Sequence, residues 1–177
     1  MTVNVLSDIC VALLVLIAGA TDIRSRRIPN WLTLSGVCAG LALHAATAGS
    51  TGFKFSAEGM GLGFVAYLAL YLLRAMGAGD VKLMAAVGAI VGPAGWISVF
   101  VATALAGGVL ALGLIIFKRR VRQTLWNSFF IVTEMAHFRA PYQRRSDLDV
   151  KDPRALNMPH GVAIAVGTAA VLLLAHV

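Results

Sequence analysis

Long apolar runs recur along this chain, and they leave little choice of fold. A helix needs about 20 mainly apolar residues to cross a bilayer. The sequence offers such runs at Val3–Ala20, broken only by Asp8, and at Trp31–Ala48, Gly59–Met76, Gly95–Phe117 and Pro159–His176. A shorter run, Val81–Gly92, stops at Pro93, since proline cannot continue an ordinary helix. The expectation is an all-α polytopic membrane protein, a bundle of six transmembrane helices. Composition agrees, with 59% hydrophobic and only 13% charged residues, against about 25% charged in soluble domains. A length of 177 residues suits a single membrane-embedded domain over 1–177.

The net charge of +7 would fit a nucleic-acid binder, but its distribution fits a membrane better. Arg24, Arg26 and Arg27 separate the first two spans, and Arg74 and Lys82 flank the link between the third and fourth. Nine more basic residues, Lys118 to Arg154, separate the fifth from the sixth. Lys54 alone is left for the other side. By the positive-inside rule these three loops face the cytoplasm and both termini lie outside, in the periplasm of a bacterial inner membrane. Residues 1–20 invite comparison with a signal peptide, because Ala18-Gly19-Ala20 looks like a small-residue cleavage site. The basic cluster, however, follows the apolar run instead of preceding it, so the segment reads as a retained helix.

The one sizeable polar segment is the cytoplasmic loop 118–157. In it Leu125, Phe129, Val132 and Ala136 recur at helical spacing beside Trp126 and Phe130, behind Arg119, Arg120 and Arg122. That pattern suits either a helix lying on anionic headgroups or a helix packed on the ends of the bundle. Cys10 and Cys38 sit in apolar runs, and no CxxC or Cys/His cluster points to zinc or a disulfide framework. No metal or cofactor is expected.

Two acidic residues stand out against this background. Asp22 follows the first span in TDIRSRRIPNWLT, and Asp80 precedes the fourth in GAGDVKL. The expected topology puts both at the cytoplasmic boundary, where carboxyls from two helix ends can meet and share a proton, so that an acid and a base coexist. Such a pair can activate water against a peptide carbonyl while its protonated member supports the developing oxyanion. Gly77 and Gly79 would then let an extended substrate backbone approach Asp80. Plainer readings compete: Asp80 as a helix cap, and Asp22 as a surface ion-pair member among arginines.

The motifs Asp-x-Arg-x-Arg-Arg-Ile-Pro-Asn at Asp22–Asn30 and Gly-Ala-Gly-Asp-Val-Lys-Leu at Gly77–Leu83 resemble those of the type IV prepilin peptidases, membrane aspartic peptidases of the GxGD kind. MPHGVAIAVG at Met158–Gly167 resembles that family's Pro-x-Gly entry into its last span. The resemblance implies that Asp22 and Asp80 are the catalytic pair. It also implies that the protein removes a short basic leader from pilin-like precursors at the cytoplasmic membrane face, without a cofactor. The larger members carry an N-terminal CxxC segment and also N-methylate the new terminus. The compact form here resembles the peptidases of tight-adherence (Flp-type) pilus systems, which implies peptidase activity without methyltransferase activity.

The remaining candidates are weaker. Lys82 either tunes Asp80 or snorkels to headgroups; Pro29 and Asn30 start the second span and shape the loop after Asp22. Pro159, His160 and Gly161 are candidate substrate-proximal residues, although a water-exposed histidine at a helix start is the simpler account of His160. A presenilin-like intramembrane protease, a proton-coupled transporter and a non-catalytic assembly factor of a secretion system are the competing functions. The transporter is disfavoured because the acids gather at one face.

Overall fold

In the computed structural model the chain is described over residues 2–73, 76–117 and 160–175, and these residues are entirely helical apart from short connections. Four helices form: α1 (Thr2–Ser25), α2 (Asn30–Leu72), α3 (Ala78–Phe117) and α4 (His160–Ala175). Among the described residues, α2, α3 and residues Val5–Ser25 of α1 are long and apolar enough to cross a membrane, while α4 is a shorter apolar helix. The expected interfacial helix of 118–157, together with Arg74 and Pro159, lies outside the described residues.

Six separate helices are not what the described residues show: the second and third expected spans run on as α2 and the fourth and fifth as α3, each two helical stretches joined at a kink. Each carries a local break: Ala48 and Gly49 in α2, and Gly92 in α3, have non-helical backbone angles. Gly49 (φ 60°) and Gly92 (φ 72°) occupy the left-handed region, which glycine enters without the penalty a Cβ brings. The departures last one or two residues, so helical hydrogen bonding resumes at once. The third expected span also ends early, at Leu72 instead of Met76, and Lys54 and Glu58 lie within α2, where a loop was expected.

The breaks turn both helices back on themselves. Early in α2, a Cβ on Gly36 would touch Ala86 and one on Gly40 would lie 2.6 Å from the Ala89 carbonyl. Late in α2, Gly59 approaches the backbone of Gly88 and Gly92, and Gly63 that of Met84. The first half of α2 thus runs parallel to the start of α3 and the second half antiparallel to it. The ring of His44 lies 5.1 Å from that of Phe55 across the reversal. Only hydrogen-sized side chains allow this approach, the small-residue packing on which membrane helices depend.

Backbone groups freed at the second break find partners from α2. Pro93 has no N–H to give the Ala89 carbonyl; the Ser56 hydroxyl donates to it instead, at 2.6 Å. His44 Nε2 donates to the Ile90 carbonyl at 2.8 Å. In an apolar surround such satisfaction is obligatory. Above this seam Tyr67, Trp96 and Phe100 form an aromatic cluster, with Trp96 and Phe100 stacked at 5.2 Å.

α1 and α4 complete the bundle as an antiparallel pair: a Cβ on Gly19 would meet Ala165, and one on Gly161 would meet Asp22. The C-terminal end of α1 therefore meets the N-terminal end of α4. That same end of the bundle collects the starts of α2 and α3.

Candidate active site

Asp22 does not follow the first helix; it lies in its last turn. α1 continues to Ser25 and stops where Arg26 adopts a left-handed conformation (φ 51°), its N–H donating to the Asp22 carbonyl at 2.9 Å. This is a left-handed C-terminal cap built on a non-glycine residue. The extra turn points the Asp22 side chain into the bundle, where it is 8% exposed. Its Oδ2 accepts a hydrogen bond from the Gly161 N–H at 2.8 Å. The carboxylate of α1 thereby caps the free amides at the start of α4.

Asp80 is likewise inside its helix, in the first turn of α3, and 8% exposed. Its Oδ2 accepts from the Gly77 N–H at 3.1 Å, while the Asp80 N–H donates to the Gly77 carbonyl at 3.2 Å. The side chain reaches back to the residue before the helix in the manner of a capping box. The helix-cap reading of Asp80 is therefore realised, and it does not exhaust the residue. Both Asp22 and His160 lie close enough to act on the Asp80 carboxyl through their charges. α1, α3 and α4 thus bring two buried carboxyls and an imidazole to one end of the bundle. Each carboxyl has one oxygen engaged by a backbone N–H, and among the described residues the other accepts no such bond.

The glycines work differently from the expectation. Neither Gly77 nor Gly79 has positive φ. Gly77 supplies the N–H held by Asp80, and a Cβ there would make only ordinary contact with that carboxyl, at 3.4 Å. Gly79 allows close approach, but to the protein itself: its Cβ would press on Ile28 at 3.3 Å. Gly161, expected only as a residue near substrate, is the tightest of the set. A Cβ on it would fall 3.0 Å from both Cβ and Oδ2 of Asp22.

Lys82 is exposed and donates to Asn30 Oδ1 at 2.9 Å, a tie between the starts of α2 and α3 and not a contact to Asp80. Pro29 precedes α2 as its cap residue, and its carbonyl accepts from the N–H groups of Leu32 and Thr33. His160, half-buried at the first position of α4, is less open to water than a free helix start would leave it. Among the described residues no group of three or more His, Cys, Asp or Glu side chains is arranged to hold a metal ion.

Fold and site together define a class: helical proteins of membrane character that carry two buried carboxyls at one end of an apolar bundle. The chain belongs to the type IV leader peptidase family, whose sequence profile matches residues 9–112. That stretch contains Asp22 and Asp80 and ends before α4. Comparison with curated proteins and with solved structures gives no match.

Proposed function

We propose that the protein is an aspartic endopeptidase that removes the short basic leader of type IV pilin-like precursors, with Asp22, Asp80 and water as its machinery. The observation that supports this reading is that two buried carboxyls, from α1 and α3, lie at the same end of the bundle. The family membership supplies the substrate class: a precursor whose apolar helix stays in the membrane while its leader reaches the site.

The chemistry follows from the free carboxyl oxygens. The ionised member of the pair takes a proton from water as the oxygen attacks the scissile carbonyl carbon. The protonated member gives its proton to the carbonyl oxygen. The tetrahedral intermediate then collapses and the C–N bond breaks; the amine nitrogen takes the proton that the first carboxyl received from water, and a gem-diol hydroxyl returns its proton to the second. Gly161 and Gly77 orient the pair by holding one oxygen of each with a backbone N–H.

In this reading the enzyme is a multi-pass protein of the bacterial inner membrane, with its site at the cytoplasmic face and both termini outside. A continuous α2 of 43 residues would be about 65 Å long, twice the roughly 30 Å of bilayer hydrocarbon. The left-handed glycines at 49 and 92 let α2 and α3 each cross twice, giving six crossings. The basic loops meet anionic headgroups on the cytoplasmic side.

The test is co-expression of a pilin-like precursor with the wild type, Asp22→Asn or Asp80→Asn, following the leader by mass. Wild type should process it, and each variant should lose activity by a factor on the order of 10³. Normal processing by either asparagine variant would refute the pairing.

A further inference from the structure

Tyr67 carries no signal in the sequence: it is one aromatic residue within an apolar run. In the structure it is 2% exposed, and the register of two helices fixes what it faces. The second half of α2 runs antiparallel to the start of α3. Gly59 lies against Gly88, and Gly63, one turn on, against Met84, one turn back. The next step along both helices sets Tyr67 against Asp80. All six of these residues are buried, so the step continues one packed seam. Tyr67 also lies near enough to Asp80 for that charge, after burial itself, to bear on its hydroxyl.

The ring is fixed from its other side. It makes edge contacts with Phe100 and Trp96, the ring centroids lying 6.1 and 6.5 Å away. Trp96 and Phe100 are themselves stacked. A buried phenol ordinarily directs its hydroxyl to a polar partner; no Tyr67 hydrogen bond forms among the described residues, and the Asp80 carboxyl is the polar group that α3 brings to this level of the seam.

We infer that Tyr67 is a positioning residue for Asp80, shaping the local field of its carboxyl from the α2 side. Among the described residues the groups around Asp80 are then Asp22 from α1, Tyr67 from α2, His160 from α4 and the Gly77 N–H before its own helix. The assignment rests on the peptidase reading for its catalytic consequence. Its structural consequence stands without substrate.

Tyr67→Phe keeps the ring and its packing on Trp96 and Phe100, and removes only the hydroxyl. The experiment uses the full-length protein in detergent. The Asp80 carboxyl band is isolated by infrared difference against Asp80→Asn, and leader removal is timed on a pilin-like precursor. Tyr67→Phe should displace the Asp80 band and lower kcat about tenfold, with KM within about twofold and the melting temperature unchanged. An Asp80 band superimposable on that of the wild type, with unchanged kcat, would overturn the inference. A wild type that removes no leader counts against the peptidase reading alone, because the band is read without substrate and still decides the role of Tyr67.

Discussion

The two carboxyls stand on very different foundations. Asp80 belongs to the α2–α3 seam, where Gly40, Gly59, Gly63 and Gly88 bring backbones together and the Ser56 and His44 side chains satisfy the carbonyls around Pro93. Asp22 belongs to the α1–α4 pair, where one hydrogen bond to Gly161 ties the two helices at the site. α1 also leaves Leu13, Leu16 and Ile17 exposed along its length. One aspartate rides on a platform whose packing is the stability of the fold. The other is held by a local contact whose loss would cost the site more than the fold.

Substitutions can break this contrast or sharpen it. The largest effect is expected at Gly88→Val, since a Cβ there would fall on the Gly59 backbone. With backbone on both sides nothing flexible can give way. A loss of about 4 kcal/mol or more should appear as failure to recover folded protein from detergent extracts. A stably folded Gly88→Val would show that the seam is looser than described.

Gly161→Ala comes next and should separate activity from stability. Its methyl would press on the Asp22 carboxyl at 3.0 Å, displacing it while the helices remain packed. Leader cleavage should fall by about 100-fold with little change in melting temperature. Unfolding in step with the activity loss would make the α1–α4 contact a second foundation of the fold. The smallest effect is expected for Asn30→Ala, which removes the exposed tie to Lys82. A change of under about 1 kcal/mol should be measurable by thermal unfolding, with cleavage near that of the wild type.

Much of this architecture is legible in the apolar runs and in the two aspartate motifs. The sequence points to Ala48 and Gly92 as the ends of spans because turn-forming and helix-breaking residues mark them. It cannot show that the backbone there departs from helix for only one or two residues while the helix reverses direction. Asp22 and Asp80 are legible as acids in apolar company. Their positions one turn inside α1 and α3 are not, because helix ends are set by local caps at Arg26 and Gly77 that composition does not reveal. Gly79 shows a second reason for a glycine beside an acid: besides room for a ligand, it gives room to Ile28. Tyr67 is invisible in the sequence because its meaning lies in the register between two helices and not in any spacing along one.

The central claim is that Asp22 and Asp80 act as one site, and a double-mutant cycle on leader cleavage tests it most directly. Residues that act as a unit lose function together, so removal of the second costs little once the first is gone. Rates for wild type, Asp22→Asn, Asp80→Asn and the double variant should show each single change abolishing cleavage to a common floor, with the double variant no lower. Additive losses, or a single variant that retains wild-type cleavage, would contradict it.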